Sequence, residues 1–288
     1  MSMLRLSIIL LLLVTTVCGQ ADRGDFGPGT VQDGLTIKYI ANEGISIDSG
    51  SNHILLDAIH RRYKPEYAFT PEDILSKIES SRYPYNRFNL ILVSHNHGDH
   101  FNAESIAMHL MNNSSATLVS SDQVIDEVLK ARDELADSTG RKASSPSQFI
   151  RIKHEWKKSA VYEGEGLKVR FLGLLHANSK LPAYRDIQNF GHLIEIDGKK
   201  LLHIGDADIF TENFGSFGLE NEVIDVAFVP YWFLLSKDGR AILNKELKAK
   251  TVVAIHVPPT GQSKTIRDIL DSFPSAVVFS EQGEMLNY

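Results

Sequence analysis

The sequence predicts an α/β layered fold, and three observations carry that expectation. Apolar runs of strand length alternate with segments of helical periodicity along most of the chain. The composition is that of an ordinary globular protein, with 288 residues of which 43% are hydrophobic and 23% charged. No fixed-period repeat or low-complexity block interrupts the pattern. Disordered, collagen-like and disulfide-dense classes are thereby excluded. A net charge of −6 offers no basic surplus to collect phosphate backbones, so nucleic acid is not an expected partner.

The N-terminus has the layout of a secretory signal peptide. One positive charge at Arg5 precedes the apolar stretch Leu6 to Val17, and small residues follow at Cys18-Gly19. The stretch is shorter than the roughly 20 residues that cross a bilayer as a helix, so no transmembrane span is expected. Residues 1–19 therefore read as a signal peptide, and the protein as secreted or periplasmic. Cys18, the single cysteine, sits at the junction, where a lipid anchor is the alternative to cleavage. A mature chain without cysteine suits an oxidising compartment. Residues 20–34, rich in Gly, Asp and Gln, read as a flexible lead-in, with the folded domain over 35–288.

The domain opens with three short strands, Thr36–Ile40, Gly44–Asp48 and His53–Ala58, the last two around the turn at Asp48-Ser49-Gly50-Ser51. Thr70 before Pro71 marks a helix start, with Thr as cap, and Ile74, Leu75 and Ile78 form its buried stripe. Phe88–Ser94 is an apolar strand that ends abruptly in a polar cluster. Helices at Ala103–Met111 and Ser121–Asp137 bracket a strand at Thr117–Ser120. After a Ser-rich loop, strands follow at Phe149–Ile152, Leu167–Leu175, His192–Ile196, Lys200–Ile204, Val223–Val229 and Thr251–Val257. A helix at Ser263–Ser272 and a strand at Ala276–Ser280 close the chain. Asn112 and Asn113 stand in Asn-x-Ser triplets, which are glycan acceptors in a secreted eukaryotic protein.

The chemistry concentrates in His95-Asn96-His97-Gly98-Asp99-His100. At a spacing of two, His95 and His97 leave a strand end on the same side, while Gly98 permits a turn that brings Asp99 and His100 to a second position. One segment can therefore serve two metal ions, and imidazole with carboxylate suits Zn, Fe, Mn or Ni.

The segment SHNHGDH resembles the metal-binding motif of the metallo-β-lactamase fold superfamily. That resemblance implies an αββα four-layer sandwich and three further ligands in order, and each has a match: His176 after LKVRFLGLL, Asp206 in LLHIGDAD and His256 after TVVAI. By the resemblance His95, His97 and His176 hold a first metal, Asp99, His100 and His256 a second, and Asp206 bridges them. Asp99 is the ligand also given a catalytic part. The matched motifs run from Thr36 to Val257, and NFGHLIEIDGKKLLHIGDAD with the early ILLDA is similar to the branch containing ascorbate-phosphate lactonases. Asp57, ending that early strand, resembles the carboxylate that stands behind the metals. His203 and Asp208, flanking Asp206, read as supporting or turn residues. His53, His60, His109 and His154 lack partners at ligand spacing and read as surface or hydrogen-bonded residues.

The expected cofactors are two divalent metal ions, zinc first, with manganese or iron as alternatives. The expected activity is hydrolysis by metal-activated water of a small ester, lactone or amide, with a phosphodiesterase, including one acting on lipids, or a non-catalytic metal-binding protein as alternatives. No G-x-S-x-G elbow or P-loop offers a different chemistry. A small-molecule substrate would meet Tyr231 and Trp232 at a strand end, together with His192 and the loop Ala177–Gln188 carrying Lys180, Tyr184 and Arg185.

Overall fold

A computed structural model describes residues 34–288. The expected signal peptide, Cys18 and the lead-in up to residue 33 lie outside the described residues. Two seven-stranded mixed sheets form the centre of the fold. The first takes β1 (Thr36–Ala41), β2 (Gly44–Asp48), β3 (His53–Leu56), β4 (Leu90–Leu92), β5 (Thr117–Ser121) and β6 (Phe149–Ile152) in that order. Between them run α1 (Glu72–Glu79), α2 (Ala103–Asn112) and α3 (Asp122–Thr139).

The second sheet holds β7 (Ser159–Gly164), β8 (Leu167–Leu174), β9 (Asn189–Ile196), β10 (Lys199–His203), β11 (Val226–Pro230) and β12 (Thr251–Ile255). The short helices α4 (Tyr231–Leu235) and α5 (Lys237–Ile242) follow β11, and α6 (Gln262–Ser272) follows β12. β13 (Val277–Val278) pairs beside β12, and β14 (Met285–Asn287) crosses back to pair antiparallel with β1 of the first sheet.

Three buried apolar clusters show the layering. Ile37, Ile45, Leu56 and Leu92 of the first sheet meet Phe171, Ile194, Phe228 and Val253 of the second, so the inner faces pack on each other. Ile74, Ile78, Ile106 and Val124 cover the outer face of the first sheet, and Leu234, Ile242 and Ile269 cover that of the second. This is the αββα sandwich.

Most elements lie within a residue or two of their expected bounds. The exceptions have physical causes. Thr70 does not cap α1: its hydroxyl donates to the Ala58 carbonyl at 2.8 Å, so it ties the end of β3 to the loop, and Pro71 takes the cap position. The strand expected over Phe88–Ser94 is paired only at Leu90–Leu92, because its end leaves the sheet toward the polar cluster. Strands β7 and β14 escape a reading by apolar periodicity because they lie at sheet edges and alternate only partly buried residues. The aromatic run at Tyr231 forms a helix turn, not a loop. Asn113 is buried and its amide donates to the Phe88 carbonyl at 2.9 Å, so it is no glycan acceptor.

Candidate metal centre

The site lies where strand ends of both sheets meet. β4 delivers His95, His97, Asp99 and His100 on one loop, held by the turn in which the His100 amide donates to the His97 carbonyl at 3.0 Å. From the second sheet, His176 follows β8, Asp206 follows β10 and His256 follows β12 directly. Gly205, at φ 53°, makes the approach of Asp206 possible. A Cβ there would stand 2.5 Å from the Asn189 side chain and 2.8 Å from Ser94 Cβ. His256 itself has φ 61°, a left-handed conformation that costs a non-glycine residue about 1 kcal/mol or more, and the Asn42 carbonyl accepts its amide at 2.9 Å.

The ligand atoms gather as two groups. His95, His97, His176 and Asp206 offer atoms within 4.8 Å of one another, and so do Asp99, His100 and His256. The imidazoles of the first group stand with ring centroids 4.6–4.7 Å apart. Asp206 reaches both groups: Oδ2 is 3.6 Å from His176 Nε2, while Oδ1 is 3.5 Å from His100 Nε2 and 3.6 Å from His256 Nε2.

Three of the rings are oriented from behind. Asp57 Oδ2 accepts from His100 Nδ1 at 2.9 Å, and its two oxygens also take the Ser94 amide (2.7 Å) and hydroxyl (2.5 Å). The Ser94 hydroxyl meets His95 Nδ1 at 2.9 Å, and the Ala177 carbonyl accepts from His176 Nδ1 at 2.7 Å. Among the described residues, Nε2 of His100 and His176 and Oδ1 of Asp206 are buried without a hydrogen-bond partner, and the nearest carboxylate to His256 Nε2 is Asp99 Oδ2, another member of the cluster, at 3.2 Å. Buried polar atoms are ordinarily paired. Four such inward-facing ligand atoms, two of them on rings fixed from behind at Nδ1 (His100 and His176), fit divalent metal ions.

For the first group the electrostatics agree. Burial, reinforced by the neighbouring His100, holds the His95 imidazole well below its usual range, and burial with the adjacent His176 takes His97 down to about 4. Both rings are therefore neutral, the form that ligates. Burial raises the Asp99 carboxyl, but His100 and His256 beside it outweigh that and leave it at about 2. His100 goes the other way: burial lowers it, and Asp206 and Asp99 more than reverse this, pushing it well up.

A cavity of about 540 Å³ opens over the cluster, lined among others by Tyr63, Tyr67, Tyr184, Tyr231 and Trp232. Tyr67 and Trp232 meet the His256 ring edge-on at 5.3 and 5.0 Å, and Tyr184 stacks on His176 at 5.4 Å. Burial and nearby Asp99 push the Tyr67 phenol up to about 12, so it stays a hydrogen-bond donor.

The structure thus brings the seven expected ligands together, with Asp57 behind His100 and with Tyr231 and Trp232 in the cavity wall. Asp208 takes the Ser179 hydroxyl at 2.8 Å and fixes the loop after His176. His203 does not touch a ligand side chain by hydrogen bond; its ring joins the Glu43 carbonyl (3.1 Å) and the Gly205 amide (3.2 Å), shaping the turn before Asp206. His192 is a correction. Its ring is fully buried inside β9 against Phe171 and does not line the cavity, because residue 192 faces the space between sheets. Lys180 and Arg185 likewise stay out of the wall that Tyr184 enters. His109 and His154 are hydrogen-bonded to backbone carbonyls and His53 pairs with Asp48, as expected of them. His60 is wholly buried, and burial takes it down to about 4. Sequence reasoning missed Glu43, a buried carboxyl beside His100 and His203, and the wall residues Tyr63 and Tyr67.

Two mixed sheets joined face to face, with a histidine and carboxylate cluster across their strand ends, define a metallo-β-lactamase fold protein. The family model described as Beta-lactamase superfamily domain matches residues 52–270, and the chain belongs to that family. A "UPF0173 metal-dependent hydrolase" of Staphylococcus carnosus is 25% identical over 174 residues, which cover 58% of this chain and 66% of that relative. One of Pelotomaculum thermopropionicum is 26% identical over 230 residues, 77% of this chain and 84% of the relative. Among solved structures, the metallo-beta-lactamase fold protein YhfI from Bacillus subtilis superposes with a TM-score of 0.59 at 15% identity, over 88% of this chain and 100% of that one.

Proposed function

We propose that this chain, a metal-dependent hydrolase of the β-lactamase superfamily, is an exported enzyme that uses two divalent ions, zinc first, to hydrolyse a small ester, lactone or amide. The observation that carries this reading is the pair of ligand groups joined by Asp206, with the inward nitrogens of His100 and His176 left without a hydrogen-bond partner among the described residues. His95, His97 and His176 would hold one ion, and Asp99, His100 and His256 the other, with Asp206 between. When bound, such ions make water nucleophilic near neutral pH and stabilise negative charge developing on the substrate oxygen.

The side chains supply the rest. Asp57, Ser94 and the Ala177 carbonyl keep the rings aimed, so little reorganisation accompanies turnover. Asp99 faces the cavity as an ionised carboxylate and would accept a hydrogen bond from the attacking water, orienting it and relaying its proton to the leaving group. Tyr67, Tyr184 and Trp232 enclose an apolar or ring-shaped acyl group and keep bulk water from it. Among the described residues, Lys64 is the only lysine or arginine lining this cavity, and Glu66 and Asp208 line it too. That balance favours a neutral substrate over a phosphodiester.

The test is elemental analysis of the purified protein followed by a panel of chromogenic esters, lactones and bis(4-nitrophenyl) phosphate. About two equivalents of metal with ester or lactone turnover is the expected result. Turnover of the phosphodiester alone would overturn the substrate class, and a protein that takes up no metal would overturn the mechanism. Export is tested by N-terminal sequencing of secreted protein, where a start near residue 20 is expected.

A further inference from the structure

We propose that Glu43 is an additional carboxylate ligand of the second metal ion, delivered by the turn between β1 and β2. This inference rests on the two-ion reading above. Asn42 and Glu43 form the two-residue connection of that hairpin, whose strands pair through Ala41 and Gly44. Such connections run over protein surfaces, yet Glu43 is 0% exposed. Neither of its carboxylate oxygens has a hydrogen-bond partner. A carboxylate in such a place is costly unless it is protonated or a cation meets it, and without a cation burial and the nearby Asp206 push the Glu43 carboxyl well up.

The neighbouring histidines do not fill that need. His100 Nδ1 and His203 Nε2 stand 3.8 and 3.7 Å from Glu43 Oε2, beyond hydrogen-bond range. Both nitrogens are already engaged, His100 Nδ1 with Asp57 and His203 Nε2 with the Glu43 backbone carbonyl. A third ion behind the centre, held by Glu43, Asp57 and His203, is disfavoured on the same grounds. Asp57 spends both oxygens on Ser94 and His100, and His203 spends both nitrogens on backbone.

The free donors lie on the other side. Glu43, Asp206 and His256 offer atoms within 4.8 Å of one another. Among the described residues Glu43 Oε1 and Asp206 Oδ1 have no hydrogen-bond partner, and the nearest carboxylate to His256 Nε2 is Asp99 Oδ2, a ligand of the same ion in this reading, at 3.2 Å. The turn is fastened to the same site: Asn42 Nδ2 donates to the Asp99 carbonyl and to Asp99 Oδ2 at 3.0 and 3.2 Å, and the Asn42 carbonyl accepts from the His256 amide. Gly44 permits the inward approach, since a Cβ there would lie 2.7 Å from the Asp57 carbonyl oxygen and 2.8 Å from Ala58 Cα. Glu43, Asp57, Asp99 and Asp206 are four buried carboxylates around the site, a concentration of acid that divalent cations would offset.

The experiment titrates metal-free full-length wild type and Glu43→Gln with Co(II), reading affinity by competition with a chromophoric chelator and coordination by the visible ligand-field bands. Wild type is expected to bind two ions. Glu43→Gln is expected to keep one at unchanged affinity, to bind the other at least about ten-fold more weakly, and to alter its bands. Glu43→Asp, which keeps the charge, is expected to fall between them and serves if Glu43→Gln does not fold. Two ions bound by Glu43→Gln with wild-type affinity would overturn the proposal. So would weakened binding with unaltered bands, which would make Glu43 a positioning residue. Fewer than two ions in the wild type would overturn the two-ion reading itself.

Discussion

The two sheets follow one strand plan yet feed the metal centre differently. In the first, antiparallel β1–β3 lead into parallel β3–β6, and in the second, antiparallel β7–β10 lead into parallel β10–β13. The first sheet then spends a single loop after β4 on four ligands, whereas the second places one ligand after each of β8, β10 and β12. Sheets of this kind present ligands at the carboxyl ends of their strands. The comparison teaches that a site can be built either by local density of ligands or by convergence of distant strand ends, and that Asp206 is where the two solutions are joined.

Breaking that joint has the largest expected effect. Asp206→Ala removes the carboxylate that, among the described residues, stands against both ligand groups, so kcat/KM for whichever ester or lactone proves active should fall on the order of a thousand-fold. Metal content should drop with it. A variant retaining both ions and most of its activity would show that the halves hold their metals independently.

Next come paired removals, one from each ligand group. His176→Ala should leave about one equivalent of metal, at the Asp99 group, and His256→Ala should leave about one at the His95 group. Elemental analysis and metal affinity read both. Loss of both ions from either variant would mean that the two groups act as a unit and that the division drawn between them is wrong.

How much of this was legible from the sequence differs between the halves for the same reason. Four ligands in six residues stand out against any background, and with that segment in hand the later histidines and aspartate could be matched to strand ends. Residues that act by tertiary convergence left weaker marks. Glu43 belongs to a hairpin turn, where an acid is ordinarily solvated; only its burial reveals it. A signal was present nonetheless, in YIANEGISI, where Glu43 is the single charged residue and stands next to Gly44 between apolar strands. Tyr63 and Tyr67 come from an irregular loop with no periodicity to interpret. His192 misled because an imidazole opening an apolar run suggests a site, whereas here it fills space between Phe171 and His203.

Asp57 sharpens the comparison on the first-sheet side. It lies at φ 49° just past β3 and carries three hydrogen bonds into the β4 loop. Asp57→Asn keeps the shape but loses the charge that orients His100, so affinity for the second ion should fall about 10- to 100-fold. The first ion should be held as before, apart from what Ser94 transmits to His95. Equal weakening of both ions would show that the loop answers as one body.

The smallest effect tests the halves away from the metals, in metal-free protein. His192, in the second sheet, is fully buried with neither ring nitrogen hydrogen-bonded, and burial takes it down to about 3. An unfolded histidine titrates near 6.5, so on acidification the unfolded chain binds this proton first. Stability is therefore whole above about pH 6.5 and falls as pH drops toward 3. Between pH 7 and pH 5 that amounts to about 2 kcal/mol for one such group. His192→Leu should remove this share, flattening the pH dependence of urea unfolding by about that amount while leaving the slope due to His60, another buried histidine lowered by burial, in place. Identical acid slopes in the variant and the wild type would mean that the second sheet opens to water around residue 192 before the chain unfolds.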